Sequence, residues 1–319
     1  MNQLNRIVLS FTILFLFSNC YAGQKFAKHT SYSWSQPAVI KVMTFNIKAN
    51  NIMGLGSWFS RKPLVLDVIK DHAPDILGLQ EPLHEQLKEV QKAFPQYACY
   101  SAGGKDGRNS GESCPIFYRK DRFELLDSGT FWFSDQPDKP GTRGWGEPVP
   151  RFCSWVVLSE KGQNTSFYVY NTHLAWASQR ARNKSVLLLQ KEIAARHSSL
   201  PFIIMGDFNM KLTNPAMESL LESGPQNHFP VVDAWLSVHP DQPDKPTCNF
   251  GTWGKGPQID HIQLGSYAMP LTAEIDNRKI NGRYPSDHFP VIASVMLPAS
   301  IPPAAVTKSH QPPRNSAVD

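Results

Sequence analysis

Long apolar runs are scarce in this chain. After residue 17 no segment reaches the roughly 18 consecutive apolar residues of a membrane helix, so no transmembrane segment is expected. Charge is also thin: 18% of residues are charged, against roughly 25% in an average soluble domain, while 41% are apolar. That balance excludes a disordered or highly charged chain and leaves enough apolar side chains for a sizeable core. The glycines and prolines follow no fixed period, which excludes collagen, and no internal repeat marks a solenoid. Five cysteines form neither a CxxC pair nor a Cys/His cluster, which argues against a zinc site. Excess charge of one sign is slight: a net +5 over 319 residues does not by itself point to nucleic acid.

The amino terminus carries the one notable apolar run. Arg6 precedes Ile7 to Phe17, and small or polar residues follow, which is the pattern of a secretory signal over residues 1–22, cleaved after Ala22. The run is about half the length that spans a bilayer, so export to the periplasm or medium is expected. A lipoprotein with Cys20 lipidated and a buried amino-terminal helix are the alternatives, and Asn19 stands where a lipoprotein signal wants a small residue. Cleavage leaves Cys99, Cys114, Cys153 and Cys248, and an oxidising compartment lets thiols pair. Two strand-like segments, 97–102 and 114–119, joined by a Gly-rich turn, form a hairpin that could bring Cys99 to Cys114; the alternative is four buried, inert thiols.

A polar linker occupies residues 23–37. From 38 to 298, short β-rich runs alternate with amphipathic helices without a second linker, and a Pro-rich tail, 299–319, reads as disordered. Helices are expected over 61–72, with Pro63 in the first turn, after Pro82, and over 178–197. Strands are expected at 40–47, 75–80, 123–133, 152–158, 166–172, 202–206, 258–264 and 288–296. Runs such as Ile203-Ile204-Met205 are apolar on both faces, which suits sheets covered on both sides. About 260 residues of this kind fit an α/β domain of two helix-covered sheets.

Several of these strands end in side chains a core would not select: Asn46, Glu81 after Leu79-Gln80, His173, and Asp207 with Asn209. Ligand sites in α/β folds collect at strand tips, so tips ending alike suggest one shared pocket. Singly, each has a plainer explanation: Asn46 or Asp207 as a turn or cap residue, Glu81-Pro82 as the start of a helix. Asp207 and Asn209, two apart in extended chain, would face one substrate, the acid accepting a proton from water and the amide donating to an oxyanion; an Asx turn is the alternative. Nearer the carboxyl end, Asp260 is suited to orient His288, leaving Asp287 for a metal or water, while His261 would point to the opposite face as a structural residue.

The motifs Thr44-Phe45-Asn46, Gln80-Glu81, Asn171-Thr172-His173-Leu174, Gly206-Asp207-Phe208-Asn209, Asp260-His261-Ile262 and Ser286-Asp287-His288-Phe289-Pro290-Val291 occur in order. Together they resemble the endonuclease/exonuclease/phosphatase superfamily with its DNase I-like fold. The stretches Phe117-Tyr118-Arg119, Gly129-Thr130-Phe131-Trp132 and Pro137-Asp138-Lys139-Pro140-Gly141 further resemble a bacterial subgroup of undefined substrate. The resemblance spans about residues 38–298. It implies a four-layer αββα sandwich of two mixed β-sheets and a metal-dependent phosphoesterase site at one end of them. On this basis Asn46, Glu81 and Asp287 match metal-site motifs, with Glu81 the principal ligand. Asp207 matches the residue that orients or deprotonates the attacking water, Asn209 its companion on the phosphate, His288 with Asp260 the pair at the scissile phosphate, and His173 a phosphate contact. Such oxygen ligands suit Mg²⁺, or Mn²⁺, completed by water and substrate. Two departures stand out: Ala175-Trp176 follows His173-Leu174 where the subgroup often continues Asp-His, and His261 stands where tyrosine is common.

What the phosphate belongs to is less constrained. The aromatic, Gly- and Pro-rich segment 131–155 carries Arg143, Trp145 and Arg151, a set able to stack a ring and hold phosphate, or simply a packed surface loop. Nucleic acid, a lipid headgroup and a small sugar or inositol phosphate are all compatible partners, and oligomeric state is open. The reading is an exported Mg²⁺-dependent phosphoesterase acting on phosphodiesters, or on monoesters; a secreted binding protein that keeps the fold without catalysis is the alternative.

Overall fold

The computed structural model describes residues 37–50, 56–163, 165–196, 200–222, 231–249, 255–265 and 267–298. The expected signal peptide, the linker up to residue 36 and the tail from 299 lie outside the described residues. Among the described residues, twelve strands form two six-stranded sheets. One contains β1 (Ala38–Asn46), β2 (Ile76–Gln80), β3 (Tyr97–Tyr100), β4 (Ile116–Arg119), β11 (Met269–Ile275) and β12 (Val291–Leu297), in the order β11-β12-β1-β2-β4-β3. The other contains β5 (Phe123–Trp132), β6 (Phe152–Glu160), β7 (Ser166–His173), β8 (Phe202–Asp207), β9 (Val232–Asp233) and β10 (Asp260–Gly265), in the order β5-β6-β7-β8-β10-β9. The pairs β1/β2 and β7/β8 are parallel and the rest antiparallel, so both sheets are mixed.

Side-chain alternation explains the layering. Along β1, Ile40 and Val42 face inward to meet Ile203 and Met205 of β8, while Met43 and Phe45 face outward under α1 (Trp58–His72) and α2 (His84–Ala93). On the other side Tyr170 and Ile204 pack under α3 (Gln179–Ala195) and α4 (Pro215–Leu221). The four-layer α/β sandwich is therefore the fold. Gly78 of β2 permits the close approach of the sheets, because a Cβ there would lie 2.6 Å from the Met205 side chain and 2.9 Å from Asn171.

Some boundaries differ from those read in the sequence. Helix α1 begins at Trp58, so Pro63 sits inside it rather than in its first turn. The last strand begins at Val291, not His288, which instead bridges Cys248 ahead of Pro290. Strand β11, mostly exposed and containing Pro270, and the short α4, β9 and α5 (Ala234–Val238) lack the long periodic pattern that would reveal them. The 97–119 hairpin forms, but its register sets Cys99 opposite Phe117; Cys114 lies before β4, packed with Trp132 and Phe152. Cys99 and Cys114 are not joined, and all four described cysteines are free thiols.

Candidate active site

Topology brings the polar strand tips to one end. β1 and β2 run parallel and finish at Asn46 and Gln80, with Glu81 next; β7 and β8 run parallel and finish at His173 and Asp207. β10 is antiparallel to β8, so it starts at this end with Asp260 opposite Asp207, and β12 is antiparallel to β1, so residues 285–289 arrive here as well. The cross-sheet contact is polar: Gln80 Nε2 donates to Asn171 Oδ1 at 2.7 Å, and Asn171 Nδ2 donates to the carbonyls of Leu79 and Pro115.

Asp207 is the centre. Its Oδ2 accepts from Asn46 Nδ2 at 3.0 Å and lies 3.4 Å from His173 Nε2 and 3.7 Å from His288 Nε2. Its Oδ1 accepts from the Asn209 backbone N–H at 2.9 Å. Burial, then the neighbouring charge of Asp260, pushes the Asp207 carboxyl up to about 7. His288 Nδ1 pairs with Asp260 Oδ2 at 2.9 Å; burial opposes the imidazolium, but Asp260 and Asp207 outweigh it and raise His288 to about 10. His173 is driven the other way, well below its ordinary value, by burial and by the charges of Arg151 and His288, so it is neutral. Thr247 Oγ1 accepts the backbone N–H groups of Ile259 and Asp260, fixing the start of β10.

The expected metal residues form the neighbouring lobe. Asn46 Nδ2 also donates to Glu81 Oε1 at 2.9 Å, and Glu81 Oε2 accepts from the Ala49 backbone N–H. Asp287 joins this lobe with its Oδ2 ion-paired to Lys48 Nζ at 2.6 Å, a partner that the sequence reading missed. Glu81 (φ 71°), Lys48 (φ 59°) and Asn209 (φ 52°) are all left-handed, a conformation that non-glycine residues adopt at some cost and that marks functional sites. Carboxylates here outnumber their cations: Glu112 is pushed up by burial and by Glu81, much as Asp207 is by burial and Asp260. Hard oxygen donors with surplus negative charge fit a divalent cation, which Glu81 with Asn46 and Asp287 would hold. Asp207, Asp260 and His288 also offer ligand atoms within 4.8 Å of one another.

Two expectations need correction in detail. Asn209 does not continue an extended chain beside Asp207; β8 stops at Asp207, an Asx turn follows, and Asn209 Nδ2 donates to the Leu174 carbonyl at 3.1 Å, tying the loop after β7. The loop residues separate. Arg151 is buried between Glu147 (3.3 Å) and Glu112 (3.8 Å), close enough to lower His173. Arg143 is exposed, with Nη1 on the Pro148 carbonyl, and the half-buried Trp145 donates Nε1 to Asp135 under Lys184. No described contact joins Arg143 or Trp145 to the Asp207 cluster. His261 faces away, between the Met210 carbonyl and Asp233, as its structural reading requires.

Sequence reasoning also missed Arg61. Buried on α1, it donates to the carbonyls of Ile47 (2.6 Å), Lys48 (3.0 Å) and Pro285 (3.2 Å), clamping the two segments that carry Asn46 and Asp287. Its signal was present: Arg61 shares a helical face with Val65 and Val68, where a cation is out of place unless it is bonded.

A fold of two helix-covered sheets with acid, amide and imidazole groups gathered at one end fits a phosphoric ester hydrolase, the class that the family match supports. Residues 43–300 match the Endonuclease/Exonuclease/phosphatase family, and the chain belongs to it. It is similar to an endonuclease/exonuclease/phosphatase from Bacteroides vulgatus, at 31% identity and TM-score 0.75, over 82% of this chain and 99% of that one. A mannosyl-6-phosphatase from Bacteroides thetaiotaomicron shares 28% identity at TM-score 0.70, over 80% of this chain and 99% of the other. Nocturnin from Xenopus laevis is 25% identical over 306 residues, 84% of this chain and 75% of its own.

Proposed function

We propose that the chain is an exported, divalent-metal-dependent phosphoesterase that hydrolyses phosphodiesters by in-line attack of water. The observation that carries the reading is the placement of Asp207, a buried carboxyl of near-neutral pKa with Asn46, His173 and His288 around one oxygen. A carboxylate whose conjugate acid titrates near neutrality takes a proton from water most effectively at working pH, and its partners prevent it from turning away. The imidazolium of His288, held by Asp260, supplies positive charge and a proton at the phosphate, and neutral His173 offers an N–H to a phosphate oxygen. Arg151, beside His173, adds a fixed cation. Mg²⁺ bound by Glu81, Asn46 and Asp287 would supply the remaining neutralisation of phosphate charge.

The similarity to a mannosyl-6-phosphatase supports monoesters as a second substrate form. Export rests on the amino-terminal apolar run after Arg6. The test is hydrolysis of bis(p-nitrophenyl) phosphate with Mg²⁺, with and without EDTA. We expect EDTA to abolish it, and Asp207→Ala and His288→Ala each to lower kcat roughly 10²- to 10⁴-fold while circular dichroism is unchanged. Equal rates in wild type and both variants would reject the assignment in favour of a binding protein.

A further inference from the structure

The chain that follows Asn46 is tied at every residue. The backbone N–H groups of Ile47, Lys48, Ala49 and Asn50 donate in turn to the Gln80 carbonyl, Asn46 Oδ1, Glu81 Oε2 and Gln86 Oε1. The Lys48 carbonyl accepts from both Arg61 Nη2 and Gln86 Nε2 at 3.0 Å. In the middle of this clamp Lys48 is held left-handed, at φ 59°, a conformation that costs a lysine energy and that it would not choose by itself. The clamp fixes where the Lys48 side chain starts, beside Asn46, and the 2.6 Å ion pair fixes where it ends, on Asp287 Oδ2. Its stem therefore crosses the lobe from one expected metal ligand to another. Asn46 also bonds Asp207, and Asp287 adjoins His288 in sequence, so this lobe borders the groups proposed to act on the phosphate.

Lys48 Nζ and a divalent cation on Asp287 would crowd two like charges onto one carboxylate, and their repulsion is strong in a half-buried site. The ammonium is the weaker claimant, with one charge against two. It is also able to leave, because its side chain is 28% exposed and only the four-carbon stem has to swing while the clamped backbone stays. An ammonium released from its carboxylate pairs best with the next anion within reach. In a phosphoesterase that anion is the phosphate, and lysine suits it as a point charge with three donors, which needs no planar fork.

Resting on the phosphoesterase reading, we infer that Lys48 is a phosphate-binding residue held in reserve: its ammonium occupies Asp287 in the metal-free site, yields that carboxylate to a divalent cation, and then pairs with a non-bridging oxygen of the substrate phosphate. Loss of Lys48 then has effects of opposite sign. It removes a competitor, so Mg²⁺ binds more tightly, and it removes a phosphate contact, so hydrolysis slows; a lysine that merely braces Asp287 for the metal would weaken both when lost. The experiment takes the full chain as wild type, Lys48→Met and Lys48→Arg, strips each of metal, reads the Mg²⁺ Kd by calorimetry without substrate, and then measures hydrolysis of bis(p-nitrophenyl) phosphate at saturating Mg²⁺. In Lys48→Met the Mg²⁺ Kd should fall roughly 2- to 5-fold, the worth of a partly exposed ion pair. Its kcat/KM should drop roughly 10- to 100-fold, the worth of a hydrogen bond to a charged group. Lys48→Arg keeps the charge and should move both values back toward wild type. Circular dichroism checks the fold, and should Lys48→Met unfold, Lys48→Gln carries the same two readings. A Kd in the neutral variant that is unchanged or weaker, or a kcat/KM at the wild-type value, would overturn the inference, and wild-type hydrolysis in the same series would leave the phosphoesterase reading standing. A wild type that neither binds Mg²⁺ nor cleaves the diester would remove both.

Discussion

Asn46 Nδ2 donates to Glu81 Oε1 at 2.9 Å and to Asp207 Oδ2 at 3.0 Å, so one amide group bridges the expected metal lobe and the expected base across two sheets. Its own oxygen accepts the Lys48 backbone N–H, which fixes the orientation of the amide. The bond to Asp207 favours the ionised carboxylate and holds its pKa down against burial. Asn46→Ala should therefore lower kcat/KM on the order of 10²-fold and move the acid limb of the pH profile upward. The profile of the variant checks this; a limb that stays in place would count against Asp207 as the base.

The His288–Asp260 pair predicts a pH-dependent stability in metal-free protein. His288 is raised from 6.5 to about 10 in the folded state, so its contribution is complete below 6.5 and lost as pH rises through about 10. Asp207, raised from 3.8 to about 7, has the same sign: protonated in the fold at low pH, it loses that advantage as pH rises through about 7. Urea unfolding in EDTA should show stability falling between roughly pH 4 and 10, first through Asp207 up to about 7 and then through His288 up to about 10, by on the order of a few kcal/mol. Asp260→Asn removes the charge that raises His288 most and should flatten the decline above neutrality. A decline of equal steepness in the variant would mean that other groups govern it.

Arg61 clamps the site from behind. Its guanidinium serves the carbonyls of Gly56, Ile47, Lys48 and Pro285 at 2.6 to 3.2 Å. Arg61→Met keeps the apolar stem but leaves these acceptors without their donor, at a cost of about 1–3 kcal/mol in unfolding free energy. Activity should fall as well, because Asn46 and Asp287 ride on the released segments. Arg61→Lys should restore little of either, since an ammonium lacks the planar fork that reaches several carbonyls at once. Full rescue by lysine would show that charge alone, not geometry, is what Arg61 provides.

The polar tips were legible because each interrupts an apolar strand: Asn46, Glu81, His173 and Asp207 stand where a core residue would otherwise continue. Parallel pairing then converts sequence position into spatial position, and the tips meet at one end. What the sequence withheld is what depends on register and on long-range partners. Cys99 and Cys114 look like a hairpin pair until the register sets Phe117 opposite Cys99. Lys48 gives no hint of Asp287, which is 239 residues away. Asn209 is compatible in sequence with either an extended chain or an Asx turn, and the left-handed turn after Asp207 decides for the second, sending its amide to Leu174. Strand β11 stayed hidden because an edge strand exposed on most of its length needs no alternating apolar pattern.

Glu81 is the residue that tests the proposed cation site most directly. Its two oxygens accept from Asn46 Nδ2 and Ala49 N–H, and each keeps acceptor capacity for an ion. Glu81→Gln preserves size but removes the charge, and one end of the new amide would set a donor against a donor. In wild type, Mg²⁺ that binds only the folded state should raise Tm, and the rise should grow with ion concentration. In Glu81→Gln that rise should vanish at the same concentrations, and the Mg²⁺ needed for half-maximal hydrolysis should increase at least about tenfold. Asp287→Asn should do less, because Lys48 at 2.6 Å already neutralises much of that carboxylate. The thermal shift reads binding without catalysis, so an unchanged shift in Glu81→Gln would remove Glu81 from the ligand set even if activity fell.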